Sequence, residues 1–104
     1  MKRGKGLKRT RKPIDVESLN KMRDFFLSIW SKRRHYSEVS GTCLGKECLT
    51  IYFHHILPKN SYPDLMYKEE NIVLLTGDEH SNVENDKFRY KIINIRRNEL
   101  LSNL

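Results

Sequence analysis

Residues 53–59 read FHHILPK, and residues 71–80 read NIVLLTGDEH. The first stretch closes LTIYF (49–53), which has strand composition. A loop with two prolines, ILPKNSYPDLMYKEE, follows it, and NIVLL (71–75) reads as a second short strand. Thr76 with Glu79 three residues on is the capping-box pattern, so a helix is predicted to start at about residue 77. The predicted order is strand, loop, strand, helix, which makes the fold class α+β. Neighbours on a strand point to opposite faces. His54 and His55, side by side where the first strand ends, therefore address two different partners.

Upstream, PIDVESLNKMRDFFLSIWSKRR predicts a long N-terminal helix over about 16–34. Asp15 suits the N-cap, and Ile14 with Leu19 suits a hydrophobic staple. Leu19, Met22, Phe26, Ile29 and Trp30 recur at helical spacing and form one apolar face, with Trp30 read as core. Lys32, Arg33 and Arg34 sit where cations complement the helix dipole. Beyond the second strand, the helix from 77 either runs on or breaks near Asp86. In KFRYKIINIRRNELL, a C-terminal helix, Phe88, Ile92 and Ile95 form a predicted apolar stripe. His35 reads as a structural or exposed residue.

The charge is unevenly placed. Residues 1–13 hold seven Lys or Arg and no acid, which equals the net charge of +7 of all 104 residues. Residues 35–86 carry three basic and nine acidic groups, whereas residues 87–104 carry five basic and one acidic. A basic tail with glycines builds no core, and on a polyphosphate it gains free energy from counterion release. The reading is a basic arm, 1–13, ahead of a single domain, 14–104, with nucleic acid as partner. The arm residues are Lys2, Arg3, Lys5, Lys8, Arg9, Arg11 and Lys12. No apolar run reaches the length of a membrane span, and the basic start lacks an apolar signal region. The expectation is a cytoplasmic protein with reduced thiols, no membrane partner and no small-molecule substrate.

FHHILPK … NIVLLTGDEH resembles the HNH endonuclease motif of phage and bacterial type, the ββα-metal fold. The likeness covers about residues 43–86. It rests on the paired histidines before an apolar residue and proline, on Asn71 some sixteen residues later, and on His80 nine beyond that. The resemblance implies a ββα-metal core flanked by the N-terminal and C-terminal helices. It implies a nuclease that hydrolyses DNA phosphodiester bonds with one divalent cation. His54 and His80 would be metal ligands, His55 the general base, and Asn71 the residue whose amide pins the loop backbone and fixes the His55 ring.

The chemistry suits those residue types. Phosphodiester hydrolysis needs a nucleophilic water and charge neutralisation at phosphate and leaving oxygen. Histidine titrates near neutrality and suits the first task, and a cation suits the others. Glu84 lies four residues after His80 and shares its helix face, as a ligand or a solvated carboxylate. Asn82 and Asn85 are candidates for supporting groups, while Asp78 and Glu79 suit the helix N-terminus. Two imidazoles favour Zn²⁺ or Ni²⁺ for binding, with Mg²⁺ or Mn²⁺ expected for activity. Lys59, Arg89, Arg96 and Arg97 are further nucleic-acid candidates.

Many HNH domains carry two Cys-x-x-Cys pairs for a structural zinc. Here Cys43 and Cys48 stand alone at a wider spacing, and two thiolates do not close a tetrahedral site. They read as free thiols or core filling, so the flanking helices must supply the packing. The alternative function is a nucleic-acid-binding protein that keeps the HNH fold without catalysis. A small metal-stabilised interaction module would leave the basic tail unexplained. Oligomeric state is open.

Overall fold

A computed structural model describes residues 16–104. The basic arm 1–13, its seven cations, and the Asp15 cap with the Ile14 half of the staple lie outside the described residues. The described residues form three helices and a two-stranded antiparallel sheet, an α+β fold. Helix α1 is Val16–Lys32, strand β1 is Phe53–His55, strand β2 is Ile72–Leu74, helix α2 is Gly77–Asn85 and helix α3 is Lys91–Ser102. Three-residue 3-10 turns occupy Thr50–Tyr52, Pro63–Leu65 and Glu69–Asn71.

The sheet separates two apolar clusters. Phe53 pairs with Leu74, His54 with Val73 and His55 with Ile72. Side chains alternate across the sheet. Ile72 and Leu74 join Phe53 and Leu44 against Phe26, Ile29 and Trp30 of α1. Val73 and Leu75 join Ile56, Val83 of α2 and Ile93 of α3. The Phe26 and Phe53 rings stack at 4.3 Å between centroids and 9° between planes. Each buried Phe contributes about 1.5–3 kcal/mol, and such a ring pair adds about 0.5–1.5 kcal/mol.

Two apolar readings are corrected. Leu19 is 57% exposed, so only the C-terminal part of α1 (Phe26, Ile29, Trp30, with Met22 and Phe25 partly covered) meets the core. In the C-terminal region, Phe88, Ile92 and Ile95 are exposed, and Ile93 and Arg97 are the buried positions of α3. The predicted strand 49–53 is also corrected: residues 50–52 form a 3-10 turn, and strand pairing begins at Phe53. Of the two readings for the helix from 77, the break near Asp86 is the one found: α2 ends at Asn85, with Asp86 as its C-cap.

A two-stranded sheet leaves backbone groups open at its edges, and buried ones need partners. The outer edge of β2 is closed by three charged residues. Leu74 N–H donates to Glu38 Oε2 at 2.8 Å, and Glu38 N–H donates to Leu74 O at 2.8 Å. Ile72 O accepts from Arg33 Nη1 at 2.6 Å and from Arg96 Nη2 at 3.0 Å. Glu38 then binds both guanidiniums, Arg33 at 2.7 Å and Arg96 at 2.8 Å. The connector 35–45 holds Glu38 in place through Ser37 N–H to Thr42 O and Leu44 N–H to His35 O. Its reversal needs positive φ at Gly41 (77°) and Gly45 (88°), conformations that glycine adopts without strain.

Candidate metal centre

The register at β1 divides the two histidines. His54, opposite Val73, lies on the side of α2, where its ring meets His80 edge to face at 5.2 Å between centroids. His55, opposite Ile72, lies on the side of α1, with its ring 6.1 Å from that of Phe26. The adjacency in the sequence thus becomes a division between faces.

His80 is delivered by the first turn of α2. Thr76 caps that helix: its Oγ1 accepts from Glu79 N–H at 3.1 Å, and Glu79 Oε1 accepts from Thr76 N–H at 2.9 Å. The predicted capping box is therefore present. Ser37 Oγ donates to the same Glu79 oxygen at 2.5 Å, which ties the helix start to the connector. Burial raises the Glu79 pKa, but the hydrogen bonds from Ser37, Thr76 and Ser40 outweigh it and hold the carboxyl below its ordinary value.

The 3-10 turn at 50–52 contributes a backbone group that a strand reading does not provide. Ile51 O lies 2.6 Å from His80 Nδ1. A carbonyl only accepts, so Nδ1 carries a proton and Nε2 is the ring atom turned toward Glu84. Nearby, a Cβ added at Gly77 would lie 3.2 Å from Ile51 Cδ1, a tight contact with the flexible end of that side chain. His80 Nε2 is 3.5 Å from Glu84 Oε2, one helical turn on. Ligand atoms of His54, His80 and Glu84 all lie within 4.8 Å of one another.

This donor set could hold a metal ion. Two imidazole nitrogens and one carboxylate oxygen converge, and the Nδ1 hydrogen bond orients His80 as outer partners orient metal-ligating histidines. His54 is also kept neutral, as a ligand must be. Burial, then the charges of His80, His55 and Arg97, push its pKa down to about 4.

His55 has a different environment. Its Nε2 lies 3.0 Å from Met66 O, so Nε2 carries the proton and Nδ1 is an open acceptor. Burial lowers its pKa, the Met66 carbonyl raises it, and the charges of Lys59 and His80 lower it, for a net decrease. The loop that carries Met66 is fixed by Asn71, which is fully buried. Asn71 Oδ1 accepts from Leu57 N–H at 2.8 Å, and its Nδ2 donates to Leu57 O at 3.0 Å and Leu65 O at 3.2 Å. Asn71 therefore holds the backbone one residue from the carbonyl that orients His55.

The other candidates are scattered. Lys59 is exposed and close enough to influence His55. Arg89 lies 5.8 Å from the Tyr90 ring. Arg96 closes the β2 edge, and Arg97 is buried, donating to Asn94 Oδ1 at 2.7 Å and Lys87 O at 2.6 Å. Both arginines thus have internal partners where a phosphate contact was expected. Asn82 donates to Tyr90 OH and supports the α2–α3 junction. Cys43 and Cys48 are free thiols, and Cys48 packs on the α1 cluster. His35 stacks on Trp30 at 3.7 Å and lies 2.9 Å from Trp30 O, a structural position. The carbonyls of Ile51 and Met66 were missed by sequence reading because every residue has one. The spacing of Glu38 likewise carries no signal of its role. A groove of about 1030 Å³, lined by Arg33, Glu38, Tyr67 and Arg96 among others, contains none of the histidines.

Among the described residues, no helix is long and apolar enough to cross a membrane. No protein-family model, curated protein or solved structure matches the chain.

Proposed function

We propose that the chain is a metal-dependent endonuclease of the HNH type that hydrolyses DNA phosphodiester bonds. One observation carries the reading: a three-residue ligand set on one side of β1, and on the other a neutral histidine whose Nε2 is tied to a carbonyl. His54, His80 and Glu84 would hold the divalent cation, and His55 is the general base. A cation bound there would supply positive charge to the phosphodiester and to the departing oxygen. His55 Nδ1 takes a proton from the attacking water while Nε2 stays hydrogen bonded to Met66 O, so the ring does not turn as it charges. Asn71 keeps that carbonyl in position. His80 is held with Nε2 outward by Ile51 O. The basic arm adds affinity for the DNA backbone in this reading.

The test is nicking of supercoiled plasmid DNA by the full chain with Mg²⁺ or Mn²⁺. Nicking is expected, is abolished by EDTA, and falls by about 10²–10⁴-fold in His55→Ala, the range of general-base loss. Metal-independent nicking, or near-normal activity of His55→Ala, would discard the mechanism. Binding of DNA without any nicking would favour a nucleic-acid-binding protein instead.

A further inference from the structure

The junction between α2 and α3 is held rigidly yet presents a large aromatic ring to solvent. Phe88 is 62% exposed. Its N–H donates to Asp86 Oδ1 at 3.1 Å, and its carbonyl accepts from Asn94 Nδ2 at 2.8 Å. The preceding carbonyl, Lys87 O, accepts from Arg97 Nη2 at 2.6 Å. Both backbone groups of Phe88 are thus engaged within the chain while its ring stays in water. Two cations lie over that ring, Lys87 Nζ at 5.1 Å and Arg97 at 5.2 Å. Arg97 is buried and backs the ring, whereas Lys87 is exposed on a flexible stem.

We infer that Phe88 is a stacking platform for an unpaired nucleobase beside the metal centre. The position of the ring supports this. The ring follows closely on α2, the helix that carries His80 and Glu84, and Arg97 of α3 lies 5.2 Å from its centroid. Glu84 lies four residues earlier, in the last turn of α2. The local chemistry matches one nucleotide: an aromatic face for the base, and Lys87, Arg89 and Lys91 against the single Asp86 for flanking phosphates. An apolar protein partner would meet this cationic rim unfavourably. Base faces inside a duplex are covered by their neighbours, so only an unpaired or extruded base reaches the ring. This deepens the nuclease reading and rests on it for the placement of the scissile bond: the substrate is single-stranded or distorted at the cleaved position.

The test is fluorescence anisotropy with a mixed-sequence single-stranded DNA and the same sequence as a duplex. It uses the full chain carrying His55→Ala with Mg²⁺ present, so that the probe stays intact. Phe88→Ala is expected to weaken single-strand binding about 5- to 100-fold, the effect of losing one stacked base, with duplex binding little changed. Phe88→Trp should restore the affinity and Phe88→Leu should not, because stacking needs a π face. Unchanged single-strand affinity in Phe88→Ala, full rescue by leucine, or an equal loss on duplex overturns the inference. A dimer that Phe88→Ala dissociates overturns it as well. Because binding is read separately from cleavage, a protein that grips unpaired DNA through Phe88 yet never nicks keeps this inference and loses the nuclease reading. Nicking with no Phe88 effect does the reverse.

Discussion

Asn71 grips Leu57 from both sides: its amide oxygen accepts from the Leu57 N–H, and its amide nitrogen donates to the Leu57 carbonyl. The pair is buried and spans the whole 56–70 loop, with Leu65 O as the third partner. Asn71→Ala leaves buried backbone groups unpaired, at about 1–3 kcal/mol each. The variant is expected to unfold at markedly lower urea concentration. Asn71→Asp keeps the acceptor but sets a carboxylate against two carbonyls, so it should be no better than alanine. If either variant melts as the parent does, the loop is held by something else. Nicking should fall too, because Met66 O no longer fixes the His55 ring.

The ligand set predicts an order of metal affinities. Two imidazoles favour borderline ions, so Zn²⁺ and Ni²⁺ should bind more tightly than Mn²⁺, and Mn²⁺ more tightly than Mg²⁺. In calorimetry, His80→Ala should remove most of the affinity. Glu84→Gln should have a smaller effect, since the Glu84 side chain is 66% exposed and its carboxylate is the outermost member of the set. Equal affinity in His80→Ala and the parent protein removes His80 from the site.

The depressed pKa of His54 has a signed consequence for stability. In the folded metal-free protein it binds its proton only near pH 4, whereas in the unfolded chain it does so near the ordinary 6.5. The unfolded state is protonated first as pH falls. The contribution is therefore full above about pH 6.5 and is lost progressively toward pH 4. Thermal melts at pH 7, 6 and 5 should show declining midpoints, and His54→Gln should flatten that decline. A midpoint for the parent that rises on acidification contradicts the half-buried, neutral His54.

His55 shifts in the same direction, through burial and the nearby Lys59 and His80 charges. It therefore remains an unprotonated base below the pH at which an ordinary histidine charges. The acidic limb of a kcat/KM profile should lie below pH 6.5, and Lys59→Ala should move it upward. An acidic limb above pH 6.5 would contradict the environment described for His55.

The arm can be tested without reference to its conformation. Removing residues 1–13 deletes seven cations and none of the core residues described above. DNA binding should weaken, and the slope of log affinity against log salt should shrink by about 6 if every charge meets a phosphate, or about 2–4 for partial engagement. An unchanged slope would transfer that role to the exposed cations Lys59, Lys87 and Arg89.

The local devices are legible in the sequence. The Thr76–Glu79 capping box, the start of α2, the helical face of Phe26, Ile29 and Trp30, and the short apolar run of β2 are set by neighbours within a few residues. The pairing of His54 and His55 on opposite faces also follows from strand geometry alone. Which faces are covered depends on packing between elements distant in the chain. Leu19 continues the α1 stripe yet is more than half exposed, and Phe88, Ile92 and Ile95 keep a helical spacing yet face solvent. Periodicity marks an apolar stripe but not how far its partner extends along it. Residues 50–52 became a 3-10 turn, because a three-residue strand is too short for alternation to fix its start. The edge of β2 is closed by Glu38 and Arg96, which lie 58 positions apart. The carbonyls of Ile51 and Met66 set the histidine tautomers across 29 and 11 positions. Such partners are chosen by the need to satisfy buried backbone groups once the sheet has formed, and that need arises only in three dimensions.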